Sequence, residues 1–222
     1  MIIGLVGFIG AGKTTVANIL HKEHNFHKLA FSDTLKDVVS SIFGWDRELL
    51  SGDSVESREY RETPDASWSL AFGYPVTPRL MLQKVGTEGL RDVIHQNIWV
   101  VSLQRRLLNY EDGDNLVIHD VRFPNEIAML KKLGASIVRV ERYFPPFYDV
   151  ILQDIEDEVN NKNNAMIWRK MNDLYPFIHP SEYLWVSTKP DYTIYNGSDN
   201  MGTLSNSVDF AIKYIDNLFR LK

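Results

Sequence analysis

The 222-residue sequence contains no cysteine and no apolar run as long as a membrane-spanning helix, which needs about 18 residues. Without cysteine there are no disulfides, no thiolate metal sites and no cysteine nucleophile, as is common in a reducing compartment. No basic stretch precedes the first apolar segment, and Lys13 interrupts that segment, so we expect no signal peptide. These absences predict a soluble, cytoplasmic globular protein that makes no use of a membrane.

Positive charge is also scarce. The sequence has 24 Lys and Arg against 29 Asp and Glu, a net charge of -5. Proteins that bind polymeric nucleic acid rely on a basic face, so we expect no such partner. The apolar share of 44% and the aromatic share of 12% argue against disorder. At about 150 residues per domain, the length corresponds to roughly one and a half domains.

Short apolar segments alternate with helical patterns along the chain. Helices are predicted after the glycine cluster near the N-terminus, after Ser32 as N-cap, from Thr77-Pro78 and from Pro124. A further helix is expected around 150–159, and the last helix presents its apolar face through Leu204, Val208, Ala211, Ile212, Ile215 and Phe219. Five strands are predicted, at 2–6, 28–31, 115–120, 136–140 and 192–195. This alternation predicts an α/β fold with a parallel sheet covered on both faces.

Two segments, 45–76 and 144–180, show no regular pattern and are too long for ordinary connections. We interpret them as insertions in a single domain spanning residues 1–222. With their flanking elements, the insertions extend over 45–112 and 143–190. The surplus length over one average domain is therefore assigned to these two insertions.

A phosphate-binding motif follows the first strand. Gly7-Phe-Ile-Gly-Ala-Gly12-Lys13-Thr14 matches G-x-x-x-x-G-K-[ST] at every specified position. Glycines allow successive backbone N–H groups to converge on phosphate oxygens, and the following helix adds positive potential. Lys13 is predicted to reach the β and γ phosphates, and the Thr14 hydroxyl to ligate Mg²⁺. The motif predicts a nucleoside triphosphate site formed by Gly10, Ala11, Gly12, Lys13, Thr14 and Thr15.

The class of P-loop protein follows from what surrounds the motif. Asn161-Lys-Asn-Asn164 lacks the aspartate of the guanine-binding N-K-x-D motif and is interpreted as polar surface. A small P-loop fold with two insertions is typical of nucleotide and metabolite kinases. In such kinases one insertion, here 45–112, binds the acceptor, and the other, here 143–190, is lid-like and excludes water.

Asp120-Val-Arg122 follows the third predicted strand, at the sheet edge where ligands of open α/β folds bind. The Asp120 carboxylate can hold Mg²⁺ or its water shell, and Arg122 can clamp an anionic acceptor. The alternative is that Asp120 caps the helix beginning near Pro124 and that Arg122 is an ordinary surface residue.

A second group of candidates surrounds Gly86-Thr87-Glu88. Arg79 and Gln83 lie four residues apart on one predicted helix, and Arg91 follows the glycine break. Two arginines and an amide suit a phosphate and a base edge. The same spacing also fits an exposed helix face with i,i+4 pairs, and the spacing alone does not decide between these interpretations.

Several further segments make the sequence recognisable: Phe31-Ser-Asp33-Thr-Leu35-Lys36, the Arg79–Arg91 pattern with Trp99, Asp120-Val-Arg-Phe-Pro-Asn-Glu126, Gly134–Arg142, His179-Pro-Ser-Glu182 and Asn196-Gly-Ser198. Together they resemble the phage-type deoxynucleoside monophosphate kinases, in order and over nearly the whole chain. The Gly-Thr-Glu and Asp-Val-Arg-Phe-Pro-Asn-Glu segments discriminate this family, because many families share the P-loop.

The resemblance implies a P-loop kinase three-layer sandwich with five parallel strands and the Mg²⁺-dependent reaction ATP + dNMP → ADP + dNDP. It also suggests a homodimer and, for a phage-encoded protein, the host cytoplasm. Lys13, Asp120 and Arg122 would be catalytic, and Thr14 and Asp120 would hold the metal. Arg142, Asn196 and Gly197 would lie near the adenine, and Glu182 would order the lid side. The acceptor site would contain Asp33, Lys36, Arg79, Gln83, Thr87, Arg91, Arg122 and Glu126.

Two alternatives stay open at the level of sequence. The chain could be a P-loop kinase of another phosphorylated metabolite, such as phosphomevalonate, or a module that senses ATP without transferring phosphate. Residues 143–180 exceed the family's usual lid length, and no lid arginine is assigned there. Asn196-Gly197 is also an ordinary turn dipeptide. His179 is interpreted as a packed or surface histidine and not as a catalytic base.

Overall fold

The structure, a computed structural model, describes residues 1–153, 165–198 and 200–220. It forms two compact units. Unit 1 comprises Met1–Leu29 and Gly113–Lys222, and unit 2 comprises Ala30–Asp112. None of the helices in the described ranges is both long and apolar enough to cross a membrane.

The helices are α1 Lys13–His24, α2 Asp33–Phe43, α3 Val55–Glu62, α4 Ala66–Phe72, α5 Pro78–Gln83, α6 Ile98–Leu107, α7 Pro124–Lys132, α8 Ala165–Leu174 and α9 Met201–Arg220. A π-helix spans Lys84–Arg91, and a 3₁₀ helix spans Pro180–Glu182. Of the helix expected around 150–159, residues 148–153 are helical, and the rest lies outside the described residues together with 160–164.

Unit 1 is built on a five-stranded sheet in the order β2-β3-β1-β4-β5, in which every neighbouring pair is parallel. The strands are β1 Ile2–Val6, β2 His27–Leu29, β3 Leu116–Ile118, β4 Ser136–Glu141 and β5 Tyr192–Tyr195. The predicted five-stranded parallel α/β sheet is confirmed, although β2 and β3 are shorter than their apolar segments.

The two faces of β1 determine the layers of unit 1. Ile3 and Leu5 point to one face and join a buried cluster with residues of α1 and α9. Gly4 points to the other face, where a Cβ would lie 2.8 Å from Leu130 Cδ1 of α7. Because successive side chains of a strand alternate between faces, α7 covers the opposite side of the sheet. The predicted apolar face of the last helix is confirmed at Leu204, Val208, Ala211 and Ile215, which are all buried. Ile212 is half-buried, and the side chain of Phe219 lies outside the described part of the chain.

In unit 2, α2 ends as predicted at Gly44, which adopts a left-handed conformation with φ +72°. Its start differs from the expectation. Ser32 occupies the N-cap position, but its backbone is already helical and its side chain makes no capping hydrogen bond. The Asp33 carboxylate instead accepts the Ala30 N–H at 2.8 Å through Oδ2. This contact ties the first turn of α2 to the residue before Phe31, and it differs from the bond to a first-turn N–H that the serine hydroxyl was expected to accept.

The 45–76 segment contains two short helices that the sequence pattern did not reveal. Ser54 and Ser57 form a capping box at α3, and the Asp65 carboxylate accepts the Trp68 N–H to cap α4. Trp45 packs in the buried cluster of unit 2. Caps and aromatic packing stabilise these helices, whose few turns provide no extended apolar stripe.

The helix predicted from Thr77-Pro78 is confirmed: the Thr77 hydroxyl accepts the Leu80 N–H, and Pro78 occupies the first turn. The expected glycine break is instead a continuation of the helix as the π-helix Lys84–Arg91. A Cβ on Gly86 would lie 2.6 Å from Leu35 Cδ2, so glycine permits the close approach to α2. Single π-helical turns occur often at functional sites.

Candidate functional site

The phosphate loop begins where the central strand β1 ends, between the ends of β3 and β4. Gly7 has φ +150°, and a Cβ there would lie 2.4 Å from the Val140 carbonyl oxygen. Gly10 and Gly12 have φ +77° and +100°, values that side chains rarely adopt. The glycines of the motif are thus needed for the backbone to curl at the carboxyl edge of the sheet.

Aromatic residues from the second insertion pack against the phosphate loop. Phe8 is buried, and its ring meets those of Trp185, Tyr148 and Phe147 at centroid distances of 4.9, 5.5 and 5.8 Å. The Tyr143 hydroxyl donates a hydrogen bond to the Ile9 carbonyl oxygen. The segment predicted to be lid-like therefore packs on the P-loop itself.

Lys13 folds back onto the loop that precedes it. Its Nζ donates to the Gly7 carbonyl oxygen at 2.6 Å and to the Phe8 carbonyl oxygen at 2.9 Å. Burial lowers the pKa of Lys13 from its ordinary 10.5 to about 8, and the Arg122 charge contributes in the same direction. The carboxylates of Glu182 and Asp120 act in the opposite direction. The ammonium is thus held among two carbonyls and three charged side chains.

Asp120 and Thr14 are the candidate magnesium ligands, and both are partly buried. The Asp120 carboxylate raises the pKa of Lys13, so its charge acts at the phosphate loop. Within the described residues there is no cluster of three or more His, Cys, Asp or Glu that could hold a metal ion. Magnesium usually binds through substrate phosphates and one or two side chains, so this donor set fits the ion.

Arg122 is held at both its backbone and its side chain. Its backbone N–H donates to Glu126 Oε2 at 2.8 Å, and the Phe123 N–H donates to the same oxygen at 3.0 Å. Its Nη1 donates to Glu182 Oε1 at 2.6 Å and to Ser181 Oγ at 3.3 Å. Glu126, predicted in the acceptor site, is buried and caps α7 in this structure. It fixes the segment that carries Arg122.

His179 begins the 3₁₀ helix Pro180–Glu182. Its Nδ1 accepts the Ser181 N–H at 3.3 Å and lies 2.8 Å from Ser181 Oγ. Ser181 Oγ and Glu182 Oε1 also accept hydrogen bonds from Arg122 Nη1, so two of the four residues of the His179-Pro-Ser-Glu182 segment contact the arginine. His179 is half-buried in this arrangement.

The residues predicted near the adenine lie after β4 and β5. Arg142 and Gly197 are exposed. Asn196 is 7% exposed, and its Nδ2 donates to the Ala11 carbonyl oxygen at 2.9 Å. The side chain of Asn196 thus contacts the backbone of the phosphate loop.

The other predicted acceptor residues all belong to unit 2. Lys36 is buried, with Nζ 3.8 Å from Asp33 Oδ1. Arg91 is also buried, and its Nε donates to Gln96 Oε1 at 3.3 Å. Arg79 is exposed and pairs with Glu62 at 2.6 Å. Gln83 is exposed, and Thr87 is half-buried in the π-helix.

Unit 2 also contains an ion-pair network that sequence reasoning missed. Asp37 pairs with Arg47 Nε at 2.6 Å and with Arg106, and Arg47 extends to Asp33 Oδ1 at 3.3 Å. Arg106 Nε also donates to Thr34 Oγ1 at 3.1 Å. The only sequence signal was the i,i+4 spacing of Asp33 and Asp37, which places both carboxylates on one face of α2.

A parallel α/β sheet whose central strand runs into a G-x-x-x-x-G-K-[ST] loop defines a P-loop protein. The chain matches no protein-family model. It is 37% identical over 153 residues to a protein of Acanthamoeba polyphaga mimivirus described as "Putative deoxynucleotide monophosphate kinase", a match that covers 64% of this chain and 74% of that protein. The chain therefore belongs to the deoxynucleotide monophosphate kinase family, which confirms the resemblance.

A second relative is the deoxynucleoside-5'-monophosphate kinase of Escherichia phage T5, 46% identical over 57 residues. That match covers 26% of this chain and 22% of the phage protein. Among solved structures, TT1252 from Thermus thermophilus aligns over 100% of this chain and 98% of its own, with a TM-score of 0.46 and 16% identity.

Proposed function

We propose that the protein transfers the γ-phosphoryl group of ATP to the 5'-phosphate of a deoxynucleoside monophosphate, giving ADP and the diphosphate. One observation carries the proposal: the glycine loop after the central strand holds Lys13 Nζ on the Gly7 and Phe8 carbonyls, and the pKa of Lys13 is lowered by burial and by the nearby Arg122 cation. The mutual repulsion of the two cations is relieved when a polyanion binds between them. The names of the mimivirus and phage relatives provide the substrate class.

The phosphate loop would hold ATP. Lys13 would exchange its contacts with the Gly7 and Phe8 carbonyls for the β and γ phosphates. The N–H groups of Gly10–Thr15, at the start of α1, would cradle the same oxygens. Of the residues predicted near the adenine, Arg142 and Gly197 are exposed beside this edge and remain candidates for the nucleoside end.

Magnesium would be held by the Thr14 hydroxyl and the Asp120 carboxylate. Bound to the nucleotide, the ion neutralises phosphate charge as it shifts during transfer. The chain's own contribution is to place a hydroxyl in the first turn of α1 and a carboxylate after β3.

Arg122 would clamp the phosphate of the acceptor. Its side chain is 38% exposed. A guanidinium group has five N–H donors, and in Arg122 the Nη1 atom donates to Glu182 and to Ser181. The acceptor oxygen is already anionic, so no base is needed to activate it. Catalysis then comes from alignment and charge neutralisation by Lys13 and Arg122.

Unit 2 would contribute to acceptor recognition. The residues proposed for this role are Asp33, Lys36, Arg79, Gln83, Thr87 and Arg91. The 45–76 segment, with helices α3 and α4, would influence which base is accepted. Glu126 would act through Arg122, whose backbone N–H it accepts.

The test is an acceptor panel. ADP release is measured with each of the four common dNMPs and with other phosphorylated acceptors, including phosphomevalonate, in the presence of ATP and Mg²⁺. Turnover confined to dNMPs is expected. Turnover only with another acceptor would identify a different metabolite kinase, and tight ATP binding without turnover would identify a sensing module.

We also propose the partners and compartment that the resemblance suggests. The partners are ATP and dNMP, polymeric nucleic acid is not among them, and the protein is a homodimer in the cytoplasm, which is the host cytoplasm if a phage encodes it. Light scattering at micromolar concentration tests the dimer directly, since a monomeric mass would contradict it.

A further inference from the structure

Asn196 follows β5 and is anchored to the sheet. Its backbone N–H donates to the Glu141 carbonyl oxygen at 2.6 Å, which ties it to the end of β4. Its side chain is 7% exposed and donates through Nδ2 to the Ala11 carbonyl oxygen at 2.9 Å. A buried amide on a fixed backbone thus supports one peptide of the phosphate loop.

The peptide it supports is the one between Ala11 and Gly12. This peptide bond is trans, so its C=O and N–H point in opposite directions. With the Ala11 oxygen held toward Asn196, the Gly12 N–H is turned to the other side of the backbone. A Cβ on Gly12 would lie 2.4 Å from Asn196 Nδ2, so the approach depends on glycine at this position.

The orientation of this N–H matters because P-loops bind phosphate through converging backbone N–H groups. We propose that Asn196 is a positioning residue of the phosphate loop, whose side-chain amide fixes the Ala11–Gly12 peptide so that the Gly12 N–H donates to the nucleotide phosphates. The inference rests on the proposed nucleotide site. It assigns the Asn196 side chain to the phosphate end of the nucleotide and not to the adenine.

This role makes a specific prediction about ligands. A residue that orients the phosphate loop contributes equally to the binding of any polyphosphate, with or without a base. A residue that contacts the adenine contributes to ATP binding and nothing to inorganic tripolyphosphate. The comparison of these two ligands therefore separates the two roles.

The experiment titrates ATP and inorganic tripolyphosphate into Asn196→Asp, Asn196→Ala and the parent protein by calorimetry at pH 7.5. Asn196→Asp preserves shape but puts a carboxylate oxygen against the Ala11 oxygen, so both would be acceptors. Its affinity for each ligand should fall about tenfold or more, and the fold losses for ATP and for tripolyphosphate should agree to within about twofold. Asn196→Ala should lose less, because it removes the hydrogen bond without adding repulsion. If Asn196→Asp does not fold, Asn196→Ala alone is the test, and its affinity should fall by the same factor for ATP and for tripolyphosphate.

Ile215→Val is the matched control. Ile215 is fully buried in α9 and its side chain makes no hydrogen bond, so this variant should lower the melting temperature without removing a polar contact of the phosphate loop. It should bind both ligands like the parent, which shows that reduced stability alone does not weaken binding. Losses confined to ATP, or no loss with either ligand, would overturn the inference. If the parent binds neither ligand, the proposed function itself fails.

Discussion

Arg122 Nη1 donates to Glu182 Oε1 at 2.6 Å, and the charges of the two residues act on Lys13 in opposite directions. Arg122 lowers the pKa of Lys13, and Glu182 raises it. The pair therefore adjusts the protonation of the lysine on which nucleotide binding depends.

Glu182→Gln should lower the pKa of Lys13 further, because it removes a carboxylate that stabilises the ammonium. Arg122→Ala should raise the pKa of Lys13, because it removes a repelling cation. ATP affinity measured against pH should weaken at lower pH in Glu182→Gln and at higher pH in Arg122→Ala than in the parent. Glu23→Gln, at an exposed position of α1, is the control and should leave the profile unchanged. Shifts of the same sign in both site variants would contradict this coupling.

Lys13→Met should abolish turnover and yet stabilise the protein at pH 7 in the absence of nucleotide. The folded-state pKa of about 8 lies below the ordinary 10.5, so the unfolded chain binds more protons between these values. Holding the ammonium in the folded state is therefore costly below about pH 8, and the cost fades as pH rises toward 10.5. The gain should be on the order of 1–3 kcal/mol at pH 7.

Chemical denaturation of Lys13→Met and the parent at pH 7 and pH 10 measures this difference. Its decrease with pH is the expected signature. A parent that is the more stable of the two at pH 7 would show that the contacts of Nζ with Gly7 and Phe8 outweigh the cost of burial.

Gly7→Ala should unfold the loop region more severely than a comparable change elsewhere. The added Cβ would meet the Val140 carbonyl oxygen at 2.4 Å, in addition to the strain of φ +150°. Gly134→Ala is the matched control, with φ +75° and nothing within 4 Å of the added Cβ. We expect a loss of about 1–2 kcal/mol for the control, from backbone strain alone, and clearly more for Gly7→Ala. Equal losses in denaturant titrations would argue against the close approach.

Arginine variants test the proposed acceptor roles. Arg122→Ala should raise the KM for dNMP about tenfold or more while changing ATP affinity at neutral pH far less, because a charge-assisted contact with the acceptor is lost. Arg79→Gln should also raise this KM and leave the melting temperature unchanged, since the pair with Glu62 is exposed and contributes about 0–1 kcal/mol.

Glu62→Gln is the control for Arg79, because it breaks the same ion pair and keeps the arginine. It should leave the KM for dNMP at or below the parent value. Unchanged dNMP kinetics in Arg122→Ala would contradict the proposed clamp. A KM for dNMP that rises as much in Glu62→Gln as in Arg79→Gln would show that the role of Arg79 is structural.

The sheet was predictable because its determinants are local. Each strand is a short apolar segment bounded by turn residues. The G-x-x-x-x-G-K-[ST] spacing at Gly7–Thr14 identifies the phosphate-binding loop without any information from the rest of the chain. Caps such as Thr77 and Gly44 were visible for the same reason. The Ser32 cap was wrong, because Ser32 itself adopts a helical backbone conformation and its side chain makes no capping hydrogen bond.

The supports of the site depend on contacts between distant parts of the chain. The amide of Asn196 lies 185 positions from the Ala11 oxygen that it holds, and Tyr143 contacts Ile9 from 134 positions away. Glu126 was predicted from its motif, but the motif does not show that its carboxylate accepts the backbone N–H of Arg122, which the structure shows. The motifs thus identified the residues that resemble a site, whereas the partners that orient them come from distant parts of the chain.

The most direct measurement follows the phosphoryl group itself. ATP labelled at its γ-phosphoryl is incubated with Mg²⁺ and each dNMP, and the products are separated for the parent protein and for Lys13→Ala. We expect label in the β position of a deoxynucleoside diphosphate with the parent protein and none with Lys13→Ala. Label found only in ATP and inorganic phosphate with every dNMP would contradict it.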